Sequence, residues 1–169
     1  SGGQGGDAMS TASSIRNNAA GFQTLTSQAY AVGGNGGNGR GAGESSGNGG
    51  NAVATADGIN NATSGNNVDA QALGGNGGVG ADSAGNGIGG NAFANASLTA
   101  GGVSGTANSY AVAGTSTGSL VSNLLADADA TVAGPGSISS RATAQRSGAG
   151  FTVLDAVGQN ATALGYGAP

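Results

Sequence analysis

The chain has no cysteine, histidine, tryptophan or lysine among its 169 residues. Without Cys and His, the usual ligands of zinc, copper, haem iron and iron–sulfur clusters are missing, as are the commonest general base and the thiol nucleophile. Only carboxylate chemistry or a hard cation remains open, and an enzyme is not expected. The four cations, Arg16, Arg40, Arg141 and Arg146, are scattered. No basic stripe exists to neutralise a phosphate backbone, so nucleic acid is not an expected partner. The longest bulky cluster, residues 120–125, is broken by Ser122 and Asn123, far short of the roughly 18 apolar residues of a membrane span. Leu, Ile, Val and Phe together number 25, below the roughly 20% of a chain at which a bulky core becomes feasible. Charge is also scarce, with 7% charged residues and a net charge of −4, so self-repulsion does not hold the chain open.

What is abundant is small: 38 Gly and 33 Ala. They are ordered. Gly33-Gly34-Asn35-Gly36-Gly37-Asn38-Gly39 corresponds to Gly74-Gly75-Asn76-Gly77-Gly78-Val79-Gly80 at an offset of 41, and Gly49-Gly50-Asn51-Ala52-Val53-Ala54-Thr55-Ala56 to Gly89-Gly90-Asn91-Ala92-Phe93-Ala94-Asn95-Ala96 at an offset of 40. Fixed-period self-similarity is the mark of a repeat architecture. The boundaries read as a flexible arm over 1–10, an N-terminal strand segment over 11–32, two repeats of about 40 residues over 33–113, a degenerate third over 114–150, and a C-terminal strand segment over 151–169. Ser1 in place of Met fits a chain trimmed of a leader.

Within each repeat the Ala residues alternate. Ala52, Ala54 and Ala56 share one face of a strand, as do Ala92, Ala94 and Ala96, and Ala126, Ala128 and Ala130. A helix would scatter them around its circumference. The expected fold is therefore all-β: a repetitive Ala/Gly β-solenoid or stacked-sheet unit with Gly/Asn-rich loops as turns, completed by polymerisation. A face of methyl groups contributes only about 0.8 kcal/mol per buried CH₂, while each ordered Gly loses more conformational freedom than any other residue. One repeat cannot offset that entropy; many stacked repeats or chains can.

Gly77-Gly78-Val79-Gly80-Ala81-Asp82-Ser83-Ala84 is similar to the nonapeptide of RTX calcium-binding β-rolls. That resemblance implies Asp82 as a Ca²⁺ ligand; no other cofactor is implied. The tracts at 33–39 and 74–80 resemble the Gly-Gly-Asn repeats of mycobacterial PE_PGRS surface proteins, which implies a cell-surface or matrix location. Asp127 and Asp129 sit at i and i+2 and read as solvated charges that discourage wrong edge pairing. Asn61, Asn95 and Asn160 each open an N-glycosylation triplet.

The leading expectation is a non-enzymatic subunit of a self-assembling extracellular filament or biofilm matrix, its partner being itself. Bulky residues concentrate near the ends, and Phe22, Leu25, Tyr30, Val32, Phe151, Val153 and Leu154 are the candidate assembly residues, on segments that add as strands to a neighbouring subunit. Two alternatives remain open. One is an ice-binding protein with a flat repetitive face; some glycine-rich antifreeze proteins are bundles of polyproline-II helices, a form open to residues 33–43. The other is a calcium-stabilised β-roll.

Overall fold

A computed structural model describes the backbone of residues 1–17, 24–60, 65–100, 105–116, 125–133, 136–146, 149–158 and 160–166, and the side chains of 1–17, 24–60, 65–99 and 105–116. The alternating segments form strands: β1 (Ala8–Arg16), β2 (Leu25–Val32), β3 (Gly39–Arg40), β4 (Ala52–Asn60), β5 (Asn66–Leu73), β6 (Gly80–Ala81), β7 (Ala92–Ala100), β8 (Gly105–Val112), β9 (Leu125–Ala133), β10 (Gly136–Arg146), β11 (Ala149–Gly158) and β12 (Asn160–Tyr166). Long strands fall into two five-stranded sheets, β1-β4-β7-β9-β12 and β2-β5-β8-β10-β11. Each repeat adds one strand to each sheet. Ala8, Ala52, Ala92 and Ala126 lie side by side in one parallel ladder, and Leu25, Asn66, Gly105 and Gly136 in the other. Neither sheet closes into a barrel. The architecture is all-β and repetitive, as the alternation predicts.

The inner faces meet through the alternate residues. Ala52, Ala54, Ala56, Ala92 and Ala96 of one sheet and Ala70, Ala72, Ala107 and Ala111 of the other are wholly buried. Toward the far end of the strands the residues grow larger, to Leu25, Val68 and Leu98. Glycines make room for them: a Cβ on Gly58 would lie 2.5 Å from Val68 Cγ2, and one on Gly105 2.4 Å from Leu98 Cδ2. Asn60 and Asn66 close this end, the Asn60 amide donating to Asn66 Oδ1 inside the core.

Glycine tracts extend from the opposite end of the sheets. Residues 33–38 lead out from β2, the chain turns beyond β3, and residues 46–51 return to β4; 74–79 and 85–91 repeat the excursion between β5 and β7. The tracts are arms, not the turns expected from the sequence. Only the tip turns, where Gly41 and Gly43 take positive φ of 104° and 80°, and Asp82 and Ser83 take 53° and 69°. Residues 2–7 form a further arm, and 113–116 begin another.

This corrects the expected flexible segment over 1–10. Gly2 and Gly5 donate to the carbonyls of Ser45 and Asn48, and β1 starts at Ala8. The cause is that Gly-Gly-Gln-Gly-Gly-Asp keeps the three-residue rhythm of Gly-Gly-Asn with other polar residues in the third place. The stack consequently begins with residue 2 rather than residue 33. At the other end the direction reverses: β12 pairs antiparallel with β9, and β11 antiparallel with β10.

Candidate assembly edge

Hydrogen bonds in the arms recur every third residue and always run to another segment. The first Gly of each triplet donates to the next layer: Gly33 to Leu73 O, Gly36 to Asn76 O, Gly49 to Ile88 O. The second Gly donates across to the facing row: Gly34 to Gly6 O, Gly50 to Gly34 O, Gly75 to Gly50 O, Gly90 to Gly75 O. Three residues per turn without internal bonds is the polyproline-II pattern.

Residues in the third place carry a side-chain oxygen that leans toward the next layer. Asp7 Oδ1 accepts from the Asn51 N–H at 2.7 Å, and Asn51 Oδ1 from the Asn91 N–H at 2.9 Å. Gln4 Oε1 serves Asn48, and Asn48 Oδ1 serves Ile88. In the facing row Asn35 Oδ1 serves Asn76, Asn38 Oδ1 serves Val79, and Asn76 Oδ1 serves Thr115. The triplets 46–48, 49–51, 74–76, 77–79 and 89–91 each place all three of their N–H groups, with the middle glycine buried in every one. The asparagines that sequence reading assigned to turns are acceptors in this lattice; their fixed spacing of three was the signal.

The lattice stops at its first layer. Among the described residues, Gln4, Asp7, Asn35 and Asn38 have no acceptor for their backbone N–H, and the carbonyls of Gln4, Asp7, Asn35 and Asn38 accept nothing, whereas Asn76 O, one layer on, accepts from Gly36. The sheets end there too. Among the described residues β1 pairs only with β4 and β2 only with β5, which leaves alternate backbone groups of both strands facing outward. Two of those on β2 are covered from within the chain: the Tyr30 N–H donates to Ser10 Oγ at 3.2 Å, and Ser14 Oγ donates to Thr26 O at 3.1 Å. Ser10 and Ser14 stand in register with Ala54 and Gly58 of β4, so the terminal strand carries hydroxyls where the interior strand has Ala and Gly.

The predicted assembly residues divide between faces. Leu25 is buried in the core, whereas Tyr30 and Val32 are exposed on the outer face of β2. Phe151, Val153 and Leu154 lie on β11, in register with Gln145, Thr143 and Ala142 of β10; Phe22 lies outside the described residues. Sequence reading missed Met9 and Ile15, exposed on β1. Met9 also lines a groove of about 340 Å³ with Val53 and Phe93, its partners in the ladder, beside Asp7, Asn51 and Asn91.

Asp82 occupies the second arm tip, where its carboxylate receives Arg40 Nε of the first tip at 2.6 Å. Both side chains are exposed, so the pair contributes little. No group of three His, Cys, Asp or Glu residues able to hold a metal occurs among the described residues. The Ser1 amino group lies 2.7 Å from Glu44 and holds that carboxyl below its ordinary value by hydrogen bond and charge. On the outer face of β5, burial raises the Asp69 carboxyl. No helix among the described residues is long and apolar enough to cross a membrane. Asn95 sits exposed on β7; Asn61 lies outside the described residues. No protein-family model, curated protein or solved structure matches the chain.

Proposed function

We propose that the chain is a non-enzymatic structural module, a β-solenoid with hydrogen-bonded glycine arms that self-associates into an extracellular filament or matrix. One observation carries this reading: the first layer ends with two strands and two arms all open on the same side. Open edges recruit further strands. A Gly/Asn/Ala/Ser/Thr composition with no Lys and a single Glu, with Gly-Gly-Asn tracts like those of surface proteins, supports a location outside the cell. Negative-stain microscopy with sedimentation at rising concentration tests the proposal. Elongated particles of uniform width are expected; a chain that stays monomeric up to millimolar concentration overturns it.

Ice binding is the second reading, favoured by the arms, whose flat rows of third-place residues repeat at layer spacing. The outer face of the first sheet argues against it, since its rows mix Thr11 with Thr55 and Asn95, and Ser13 with Asp57 and Ser97. Thermal hysteresis in a monomeric sample would favour ice binding over assembly.

A further inference from the structure

The open first layer has a chemistry that restricts what can bind it. A strand offers backbone groups at every second residue, but the two arm edges repeat theirs at every third, at Gly3, Gln4, Gly6 and Asp7 in one row and at Asn35 and Asn38 in the other. Rises of about 3.1 Å per residue in polyproline II and about 3.3 Å in a parallel strand place these groups roughly 9 Å and roughly 7 Å apart. An ordinary edge strand cannot match the arms. Another glycine arm can.

Glycine is also kept where nothing among the described residues requires it. In the interior, a Cβ on Gly47 or Gly50 would fall 1.8 or 2.0 Å from the carbonyl oxygen of Gly3 or Gly6. Their counterparts in the first layer, Gly3 and Gly6, have no atom within 4 Å of that position. The side chains of the third-place residues lean inward to the second layer, so nothing blocks a close approach from outside. The edge has the shape an arm needs, and no arm among the described residues fills it.

We propose that the occupant is the first layer of a second copy, joined head to head about a two-fold axis parallel to the strands. The direction follows from the two ends of the stack. The last layer lacks arms: at the end of the sheets where the earlier repeats send out arms, β10 passes to β11 across only residues 147–148. Head-to-tail stacking would set arms against a layer that has none. A two-fold axis across the strands would join β1 to β1 but send the two sets of arms in opposite directions. The axis along the strands joins β1 to the other copy's β2, antiparallel, and the arm at 2–7 to the other copy's arm at 33–38, in the antiparallel sense already used between rows when Gly34 donates to Gly6 O. The contact is isologous and closes on itself. Ser10 and Ser14 then exchange their bonds to β2 for bonds made by the incoming β1. This pairing rests on the self-association reading, and makes the pair the unit from which a longer assembly extends through β11 and β12.

The chain has no native cysteine, so single-cysteine variants report the contact cleanly. The Ser10–Tyr30 and Ser14–Thr26 contacts set Ser13 level with residue 27 of the other copy's β2, so the exposed side chain it meets is that of Gln28 or Thr26. Ser13→Cys chains are mixed with Gln28→Cys chains and, separately, with Thr26→Cys chains, and oxidised; a disulfide needs Cα atoms within about 7 Å. A linked species of twice the chain mass is expected in at least one mixture and in no variant alone. Ile15→Cys with Thr26→Cys repeats the register of the first mixture if either of its variants melts below the parent. Linkage of Ser13→Cys to itself, or no linkage in either mixture from particles that still assemble, overturns the head-to-head pairing while self-association stands. No linkage together with monomers at every concentration overturns both.

Discussion

The sheets and the arms are two solutions to one problem, which is how to stack backbone when few bulky residues are available. In the sheets the period is two and alanine fills the space between layers of main chain, so burial of methyl groups adds to the ladder bonds. In the arms the period is three and there is no room even for a methyl group. Among the described residues, hydrogen bonds at 2.7 to 2.9 Å tie arm to arm, and the space between segments is filled by backbone itself. The difference teaches that a core need not be made of side chains. When a segment is glycine in two places of three, its carbonyls and N–H groups are the packing surface, and the third residue is left to serve the next layer.

The largest expected break in this comparison comes from adding one methyl group to an arm. Gly50→Ala sets a Cβ 2.0 Å from the Gly6 carbonyl oxygen, which only a shift of backbone can relieve. A loss of about 3 kcal/mol or more is expected. The reverse change in the sheet, Ala54→Gly, removes one buried methyl and adds chain entropy, at about 1 kcal/mol. Urea unfolding of the two variants compares them directly; equal losses would mean that the arms are not close-packed.

A smaller effect separates the asparagines of the two regions. Asn51→Ala takes away the acceptor of the Asn91 N–H and is expected to cost about 1 kcal/mol. Asn95→Ala, on the exposed outer face of β7, is expected to stay within about 0.5 kcal/mol of the parent. Amide hydrogen exchange at residue 91 gives a local check, since its protection falls only in the first variant.

The smallest effect belongs to Asp69 of the sheet. Its carboxyl is raised by burial, so the folded chain binds that proton more readily than the unfolded one. The charged form therefore costs stability above the folded value, and the cost fades as pH falls to the ordinary carboxylate range and below it. Asp69→Asn is expected to melt slightly above the parent at pH 7, by well under about 1 kcal/mol given its partial exposure, and level with it below about pH 3. A gain that grows on acidification would reverse the assigned sign.

Much of the sheet region could be read from the chain. Ala52, Ala54 and Ala56 alternate, and the same triplet returns one repeat later at Ala92, Ala94 and Ala96, because a strand writes its two faces directly into the order of residues. The arms were harder. Gly and Asn are also turn residues, and a segment without internal hydrogen bonds has no local signature of its own; it is held by its neighbours. That is why residues 2–7 read as a flexible tail. The candidate edge was partly visible: Tyr30 and Val32 were named for their bulk and do lie exposed on β2. Ser10 and Ser14, which cover part of that strand, looked like any other serines, since their role depends on β1 lying beside β2.

The sequence by itself determined the period of each region and the size of residue each could hold, because alternation and glycine spacing are properties of a chain before it folds. It also excluded metal–thiolate and histidine chemistry by composition. Only the tertiary structure decided that the glycine tracts run straight and bond to one another, that the stack begins at residue 2, and that its last two strands turn back. Those features depend on which backbone groups find partners in the next layer. A partner from a distant repeat leaves no trace in the local sequence.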